Sequence, residues 1–372
     1  MSVMFQLTDE VDNGRREKKI EVVRGEESVS CLWAIDLRMR VGRSQVPTCG
    51  IGGVRTPEKF RNQGNARLLL EFTNAWMREQ GYGMALLFGI ENFYHKFGYV
   101  AVIPEIEISI PKASLASCRK RHKVRLMRPS DRIACHKLFD RLNSEKSGTL
   151  SRQYTADRKY PKGQRGKGPF VALDSKERII GFMLLMAKEK SLEVHGLQGK
   201  DLSVVESLVR VLAPIARTFD QEAVPFFFPS DHLLLQMLPR LGGHLKKGWR
   251  KNGGGMVRIL DLERTMRAAL PTLSQRLKTA GLLESCPSLR LVTDLGDCVL
   301  APGKDGLALD SAAKKGSRIQ MSQGVLCRLL MGYETVDAAQ DREDVSMPKR
   351  TLPFLEALFP VGHPYCWRPD RF

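Results

Sequence analysis

The segment VRTPEKFRNQGNARLLLEF, residues 54–72, places Arg61, Asn62, Gln63 and Gly64 where a helix usually begins with Asp or Glu. Helix N-termini expose unpaired N–H groups and carry a partial positive charge. A helix start with small residues, an arginine and no carboxylate is therefore suited to an external anion. The pattern predicts a phosphate-binding loop, and the alternative is an ordinary strand–turn–helix connection with a glycine in its loop.

The elements on either side of this loop can be predicted from periodicity. PTCGIGGV (47–54) predicts a short apolar strand, whose glycines allow another backbone or a ligand to come close. After the loop, residues recur at the three-and-four spacing of one buried helix face: Ala66, Leu69, Leu70, Thr73, Trp76 and Met77.

A second candidate group lies in YGMALLFGIENFYHKFGYVAV, residues 82–102. Met84–Phe88 predicts a buried strand, and Glu91–Phe97 a short helix that Gly98 ends. Tyr94 lies inside this helix, where its hydroxyl could supply a proton. The alternative is a core aromatic residue with a satisfied hydroxyl.

The combination of a strand, an R-x-x-G-x-A loop (Arg61, Gly64, Ala66), a helix, a strand and F-Y-x-K-F-G-Y resembles the GNAT superfamily of acyl-CoA N-acetyltransferases. The resemblance implies acetyl-CoA as cosubstrate, no metal, and Tyr94 as the acid that protonates the leaving thiolate. It also implies that the loop's backbone N–H groups hold the CoA pyrophosphate. The residues expected to bind the cofactor are Val54, Arg55, Thr56, Arg61, Asn62, Gln63, Gly64, Asn65 and Ala66.

Nearly the whole chain resembles the Eis-type subfamily of GNAT enzymes. The most specific stretches are GIGGVRTPEKFRNQGNA and FYHKFGY, and PYCWRPDRF is similar to the family's aromatic-rich tail. The resemblance implies an α/β fold with mixed sheets, and a homo-oligomer up to a hexamer. It divides the chain into a catalytic GNAT domain (1–112), a degenerate GNAT-like domain (123–262) and a sterol-carrier-protein-like domain (263–372).

The identity of the catalytic base is less local. Many GNAT enzymes carry a glutamate on the strand before the loop, but residues 47–54 contain no carboxylate. The candidates are Asp36, Glu91, a water relay and the terminal carboxylate of Phe372, and the family resemblance favours Phe372. The alternative is a frayed tail, which the apolar area of Trp367 and Phe372 disfavours.

Elements further along the chain follow from the same periodicities. Val100–Ile110 predicts one alternating strand that closes the first unit, and Met256–Leu260 predicts the last strand of the second unit. Leu202–Ala216 predicts a helix of the second unit. Leu262–Ala269 and Leu273–Ala280 predict two helices of the third.

Composition limits the class of protein. A chain of 372 residues with 42% hydrophobic content predicts two or three folded domains. It has no apolar run long enough to span a membrane, and its first residues lack an apolar signal core, which favours the cytoplasm. The eight cysteines form no C-x-x-C pair and the seven histidines no H-x-x-x-H pair, so neither a disulfide framework nor a metal site is expected.

The net charge of +18 raises the question of nucleic-acid binding. The basic clusters lie far apart and lack interleaved aromatic residues apart from Trp249. We therefore interpret them as surface and linker charge that partly serves to collect anionic CoA. The second class of hypothesis is an inactive GNAT scaffold that binds lipid or nucleic acid. The clusters are Arg15–Lys19, Arg119–Lys123, Lys162–Lys167 and Lys246–Lys251.

The chain departs from the Eis pattern in two places. Fewer than thirty residues precede the strand predicted at Ser28–Arg40, where Eis-type chains have a strand and two helices, so one wall of the acceptor pocket is expected to differ. Arg371 beside Phe372 is a poor neighbour for a polycationic amine. The acceptor is therefore expected to be a primary amine on a small molecule, and aminoglycosides are not carried over.

Overall fold

The structure is a computed structural model that describes residues 3–12, 15–151, 168–310 and 315–372. The basic cluster Lys162–Lys167 lies outside the described residues. The described chain forms three mixed or antiparallel sheets with helices packed on their faces, which confirms the expected α/β class.

The strands, in chain order, are β1 (Val3–Asp12), β2 (Arg15–Arg24), β3 (Glu27–Val41), β4 (Ser44–Arg55), β5 (Met84–Gly89), β6 (Val100–Ile103), β7 (Glu105–Pro111), β8 (Lys123–Leu126), β9 (Phe170–Leu173), β10 (Ile179–Ala187), β11 (Leu192–Gly199), β12 (Ala223–Phe226), β13 (His244–Gly248), β14 (Gly254–Ile259), β15 (Leu289–Thr293), β16 (Gly296–Gly303), β17 (Gly306–Asp310) and β18 (Ser317–Gln320).

The α-helices are α1 (Asn65–Glu79), α2 (Arg132–Leu142), α3 (Leu202–Ala216), α4 (Leu238–Leu241), α5 (Leu262–Thr279), α6 (Gln323–Met331), α7 (Val336–Gln340) and α8 (Leu352–Leu358). Short 3-10 helices cover Glu58–Phe60, Tyr94–Phe97, Lys112–Ser117, Pro129–Asp131, Leu233–Met237, Lys349–Thr351 and Arg368–Asp370. None of the described helices is long and apolar enough to cross a membrane.

Two seven-stranded sheets and one four-stranded sheet organise the molecule. The first has the order β1-β2-β3-β4-β5-β14-β6, and the second has the order β13-β7-β12-β11-β10-β9-β8. The third, β17-β16-β15-β18, belongs to the C-terminal part. Helix α1 covers one face of the first sheet, and the opposite face shares a single core with α5, α6, α8 and the third sheet. The second sheet has its own core with α2 and α3.

The two large sheets exchange strands, which corrects two expectations. Val100–Ile110 is not one strand: β6 lies in the first sheet and β7 in the second. Pro104 separates them, and a proline cannot donate a ladder hydrogen bond. Strand β14, expected in the second unit, lies between β5 and β6. It suits this central position because Met256 and Val257 are both fully buried, in the cores on the two opposite faces.

Helix prediction was more accurate for α1 and α3 than for α5. The predicted bounds of α3 agree with the structure, and Leu69, Leu70, Thr73 and Met77 form the buried face of α1. The two helices expected around Pro271 are one continuous helix. The next residue explains how the proline is tolerated: the Thr272 hydroxyl donates to the carbonyl of Val41 (2.7 Å), which ties this part of α5 to the first sheet.

Candidate functional site

The parallel pair β4–β5 opens partway along its length. Cα partners run from Thr48–Met84 to Ile51–Leu87 and then stop, although both strands continue. On the other edge of β4, the register with β3 shifts where Gly53 adopts a left-handed φ of 59°. A bulge of this kind bends the strand. The two strands therefore diverge beyond Ile51 and leave a gap in the middle of the first sheet.

The predicted phosphate loop follows β4 and ends at the N-terminus of α1. Gly64 is the residue before the helix, with φ 77°, and neither a capping side chain nor an acidic residue occupies the first turn. Within the described chain, the backbone N–H groups of residues 62–67 donate to no protein acceptor, whereas Leu68 N–H already donates to Gly64. A Cβ atom at Gly64 would meet nothing within 4 Å. This helix end is open and rich in unpaired donors.

The other predicted binding residues support or border this opening. Asn65 is 1% exposed and its side-chain amide donates to the carbonyl of Phe60 (2.9 Å), while its Oδ1 is buried with no partner in the described structure. Arg61 is exposed, and its Nε donates to the carbonyl of Thr56 (3.3 Å). Val54 and Arg55 end β4, Asn62 and Gln63 form the exposed turn before Gly64, and Ala66 lies in the first turn of α1.

Tyr94 lies at the open end of β5. It begins the 3-10 helix Tyr94–Phe97, which is shorter than the helix expected from residue 91 and ends at Gly98 with φ 78°. Its ring covers Gly89, where a Cβ would overlap it. The side chain is mostly buried, and burial raises the pKa of its hydroxyl. The hydroxyl oxygen makes no hydrogen bond to a described residue, yet it is not among the atoms sealed from solvent. A protonated hydroxyl thus stands free beside the gap.

The C-terminal tail reaches the same gap. A Cβ on Gly50 would overlap the Phe372 ring. A Cβ on Gly52 would lie 3.4 Å from that ring and 3.8 Å from the terminal carboxyl carbon. The ring also meets Phe88 edge-on, with centroids 6.1 Å apart. The close approach that the glycines of β4 allow is therefore made by the last residue of the chain.

Tyr94 and Phe372 belong to opposite faces of the first sheet. Tyr94 is part of the core under α1, whereas Phe372 packs against the core shared with the C-terminal part. Side chains alternate between the two faces of a strand, and Phe88 and Gly89 accordingly meet Phe372 and Tyr94 respectively. The gap between β4 and β5 therefore has a carboxylate on one face and a phenol on the other.

The alternative bases have other surroundings. Asp36 shares the parity of Ala34, which faces α1, and it hydrogen-bonds to the Tyr82 hydroxyl; burial, and then this carboxylate, raise the pKa of Tyr82. Glu91 is exposed and forms an ion pair with Arg250 (2.8 Å). Asp36 thus lies on the face of the sheet that Phe372 does not occupy, and Glu91 is held by a surface arginine.

Sequence reasoning missed the anchors of the tail. Trp367 is 2% exposed in the core of the second sheet, and its indole N–H donates to Asn143 (3.2 Å). The guanidinium of Arg368 lies 3.3 Å from the centre of the Phe227 ring and 3.8 Å from Glu193. A tail rich in Tyr, Trp and Arg signals docking, but no pattern in the sequence names the residues that receive it.

A cavity of about 270 Å³ adjoins the tail. Its wall combines the carboxylates of Glu105 and Glu107 with the guanidinium of Arg368, and the exposed indole of Trp249 contributes an aromatic surface. Arg250 also lines it and pairs with Glu105 at 3.3 Å. The cavity therefore carries mixed charge.

Comparison with known proteins places this geometry in a family. Residues 5–102 match the family model described as an acetyltransferase (GNAT) domain. The first sheet carries a GNAT acetyltransferase domain. The match covers β1 to β6, including the gap, the loop and Tyr94. Acyl transfer is the chemistry that the GNAT fold supports in general. A search of curated protein sequences gave no match.

Solved GNAT structures extend the likeness over the whole chain. A GCN5-related N-acetyltransferase from Kribbella flavida is 19% identical, with a TM-score of 0.74 over 97% of this chain and 88% of that one. One from Anabaena variabilis is 16% identical, with a TM-score of 0.75 over 95% and 89%. Eis1 from Mycobacterium abscessus is 14% identical, with a TM-score of 0.62 over 95% and 90%. At these identities the likeness establishes a shared fold.

Proposed function

We propose that this protein is an acetyl-CoA-dependent N-acetyltransferase of the Eis type that acts on a primary amine of a small molecule. The observation that carries the proposal is the placement of Phe372 and Tyr94 on opposite faces of the β4–β5 gap, beside an open helix N-terminus. An acid and a base that flank one opening are the two groups that amide formation from an amine and a thioester requires.

The residues around the loop fit the cosubstrate. Acetyl-CoA supplies an activated acyl group and several phosphate charges. The free N–H groups of residues 62–67 and the exposed guanidinium of Arg61 are suited to phosphate oxygens. The buried, unpartnered Oδ1 of Asn65 is a further acceptor that a bound ligand or water could satisfy.

The terminal carboxylate of Phe372 would take the proton from the acceptor amine. An ammonium group cannot attack a carbonyl carbon, so a base close to the acceptor is needed. Arg371 does not oppose this role directly, because its Nε donates to the carbonyl of Cys366 (3.2 Å) and its guanidinium lies 4.7 Å from the centre of the Phe88 ring. Tyr94 would hold a proton at its hydroxyl oxygen and release it to the departing sulfur. Its raised pKa keeps that proton in place at neutral pH.

The cavity beside the tail bears on the acceptor. A polycation would meet Arg250 and Arg368 as well as Glu105 and Glu107, and like charges repel in a partly desolvated site. This lining supports an acceptor with few positive charges.

We further propose the three-part organisation of Eis-type chains, with boundaries near 112 and 262 and a sterol-carrier-protein-like unit from 263. The separate core of the second sheet supports a division into units. The exchange of β7 and β14 means that hydrogen bonding crosses both boundaries.

The decisive experiment changes the terminal carboxylate alone. A protein whose Phe372 ends in an amide, made by semisynthesis, should bind acetyl-CoA normally and lose most of its turnover in an acetyl-transfer screen across amine classes. Phe372→Leu keeps the carboxylate and should be milder, whereas one or two appended residues should act like the amide. Normal turnover of the amidated protein across pH would redirect attention to Asp36 and Glu91. Absence of acetyl-CoA binding at millimolar ligand would favour an inactive scaffold.

A further inference from the structure

A groove on the second unit brings together basic residues that are distant in sequence. Helix α3 and the segment before β8 enclose a space of about 480 Å³, within the size range of small-ligand sites. Lys120 comes from the segment, and Arg210 and Arg217 come from α3 and the residue that follows it. We call this feature the basic groove.

The three cations of the basic groove are not neutralised by the described protein. None of their side chains forms an ion pair or a hydrogen bond with another described residue, and no carboxylate lines the groove. Glu206, one turn before Arg210, is already occupied: its Oε1 accepts from Arg240 (2.8 Å) and from the N–H of Arg119 (2.9 Å). Uncompensated like charges around one concavity favour an anionic ligand.

The wall that carries Lys120 is fixed in place. The N–H groups of Arg121 and His122 donate to the Ser207 hydroxyl at 3.0 and 3.2 Å, and His122 Nε2 bonds to the Ser203 hydroxyl at 2.8 Å. Together with the bond from Arg119, these contacts hold the segment along α3. The groove is therefore formed before any ligand arrives, which lowers the entropic cost of binding.

The floor and rim restrict the ligand class. Val211, Ala213 and Pro214 form a small apolar floor, and no large exposed apolar side chain of the described chain lines the groove. A membrane surface would lack residues to insert there. Three cations and a small apolar floor suit two or more phosphate charges joined to a sugar and base.

We propose that the basic groove binds a phosphate-bearing ligand of the nucleotide class, either as a free nucleotide or as a single-stranded chain. The site is separate from the α1 loop, because it lies on the second sheet's helix and uses none of the loop residues. The proposal does not depend on acetyl transfer.

The test uses the full-length protein and two fluorescent probes, an ATP analogue and a short single-stranded RNA, measured by anisotropy at several salt concentrations. Arg210→Glu with Arg217→Glu should weaken binding at least about tenfold and reduce the salt slope for RNA by about two, because each lost phosphate contact reduces it by about one. Lys176→Glu with Lys190→Glu makes the same charge change on an exposed part of the second unit and should have a much smaller effect.

Binding of the ATP analogue would identify a free nucleotide as the ligand, and binding of RNA alone would identify a chain. Gly64→Asp should leave both affinities intact, which separates this groove from the acetyl-CoA loop. The milder Arg210→Gln with Arg217→Gln replaces the charge reversals if their melting temperature falls. Equal losses in the groove and control variants, or no binding of either probe at low salt, would overturn the proposal.

Discussion

Trp367 and Phe372 lie on the same short tail, but they pack in different cores. Trp367 is buried with the second sheet, and Phe372 packs against the core shared by the first sheet and the C-terminal part. The tail therefore joins the two large sheets just before its end. Any loosening of the second sheet's grip should be felt at the terminal carboxylate.

Replacing Arg368 with Ala tests this coupling. The change removes the contacts with Phe227 and Glu193 but leaves Trp367 buried. A cation–π contact of this kind contributes about 0.5–2 kcal/mol, so we expect turnover to fall by up to about tenfold at unchanged acetyl-CoA affinity. Steady-state kinetics and acetyl-CoA titration measure the two effects. Arg267→Ala, which removes an exposed helical ion pair, is the control. Equal turnover in both variants would mean that Trp367 alone holds the tail.

Replacing Gly50 with Ala should displace Phe372 from within the sheet. The new methyl group would overlap the Phe372 ring and approach Leu37. Overpacking of this kind costs about 1–3 kcal/mol, and we expect both a lower melting temperature and reduced turnover. Gly362→Ala adds a methyl group in open space and should change neither quantity. Adding Phe372→Val to Gly50→Ala should recover stability. A double variant as unstable as the single would place the clash at Leu37.

Replacing Gly64 with Asp puts a carboxylate where phosphate is expected. Charge repulsion and the added side chain should both weaken acetyl-CoA binding, measured by calorimetry, while the fold persists. Gly25→Asp is a matched control, because Gly25 also has a positive φ (65°) and a Cβ atom there would likewise meet nothing within 4 Å. It reports the backbone cost alone. An acetyl-CoA dissociation constant that is unchanged by Gly64→Asp would remove the loop from the site.

Replacing Tyr94 with Phe keeps the ring and deletes the proton donor. Loss of a positioned general acid typically lowers turnover on the order of a hundredfold. Burial raises the pKa of Tyr94, so the parent should keep its activity past the ordinary tyrosine value of about 10 and lose it as pH rises through the raised pKa. The stability contribution of this hydroxyl has the same sign: it is present below the ordinary pKa and is lost above the raised one.

Tyr333→Phe provides the matched control, because burial also raises the pKa of Tyr333, far from the gap in the C-terminal part. It should leave the pH–rate profile unchanged. If Tyr94→Phe retains parental turnover at matched acetyl-CoA occupancy, Tyr94 is a packing residue or water replaces its proton.

Local features of the site could be predicted from sequence, and contacts between distant segments could not. The open start of α1 follows from Gly64 and the missing acids, since helix ends obey rules within a few residues. The meeting of Gly50 with Phe372 joins opposite ends of the chain, and only the fold brings them together. The groove cations are likewise separate in sequence. The sequence alone favours linker charge for Lys120, because nothing near it indicates Arg210 or Arg217.

The position of β14 has a consequence for how the chain is made. Strand β5 pairs with β14, so the edge of the GNAT sheet stays open until residues 254–259 have left the ribosome. At about 5–20 residues per second, that wait lasts on the order of ten seconds, during which an apolar strand edge is available to other chains. We expect stalled nascent chains that end before β14 to be protease-sensitive over residues 84–103. Chains that expose β14 should be protected there, and the difference should make chaperone demand a property of this strand order.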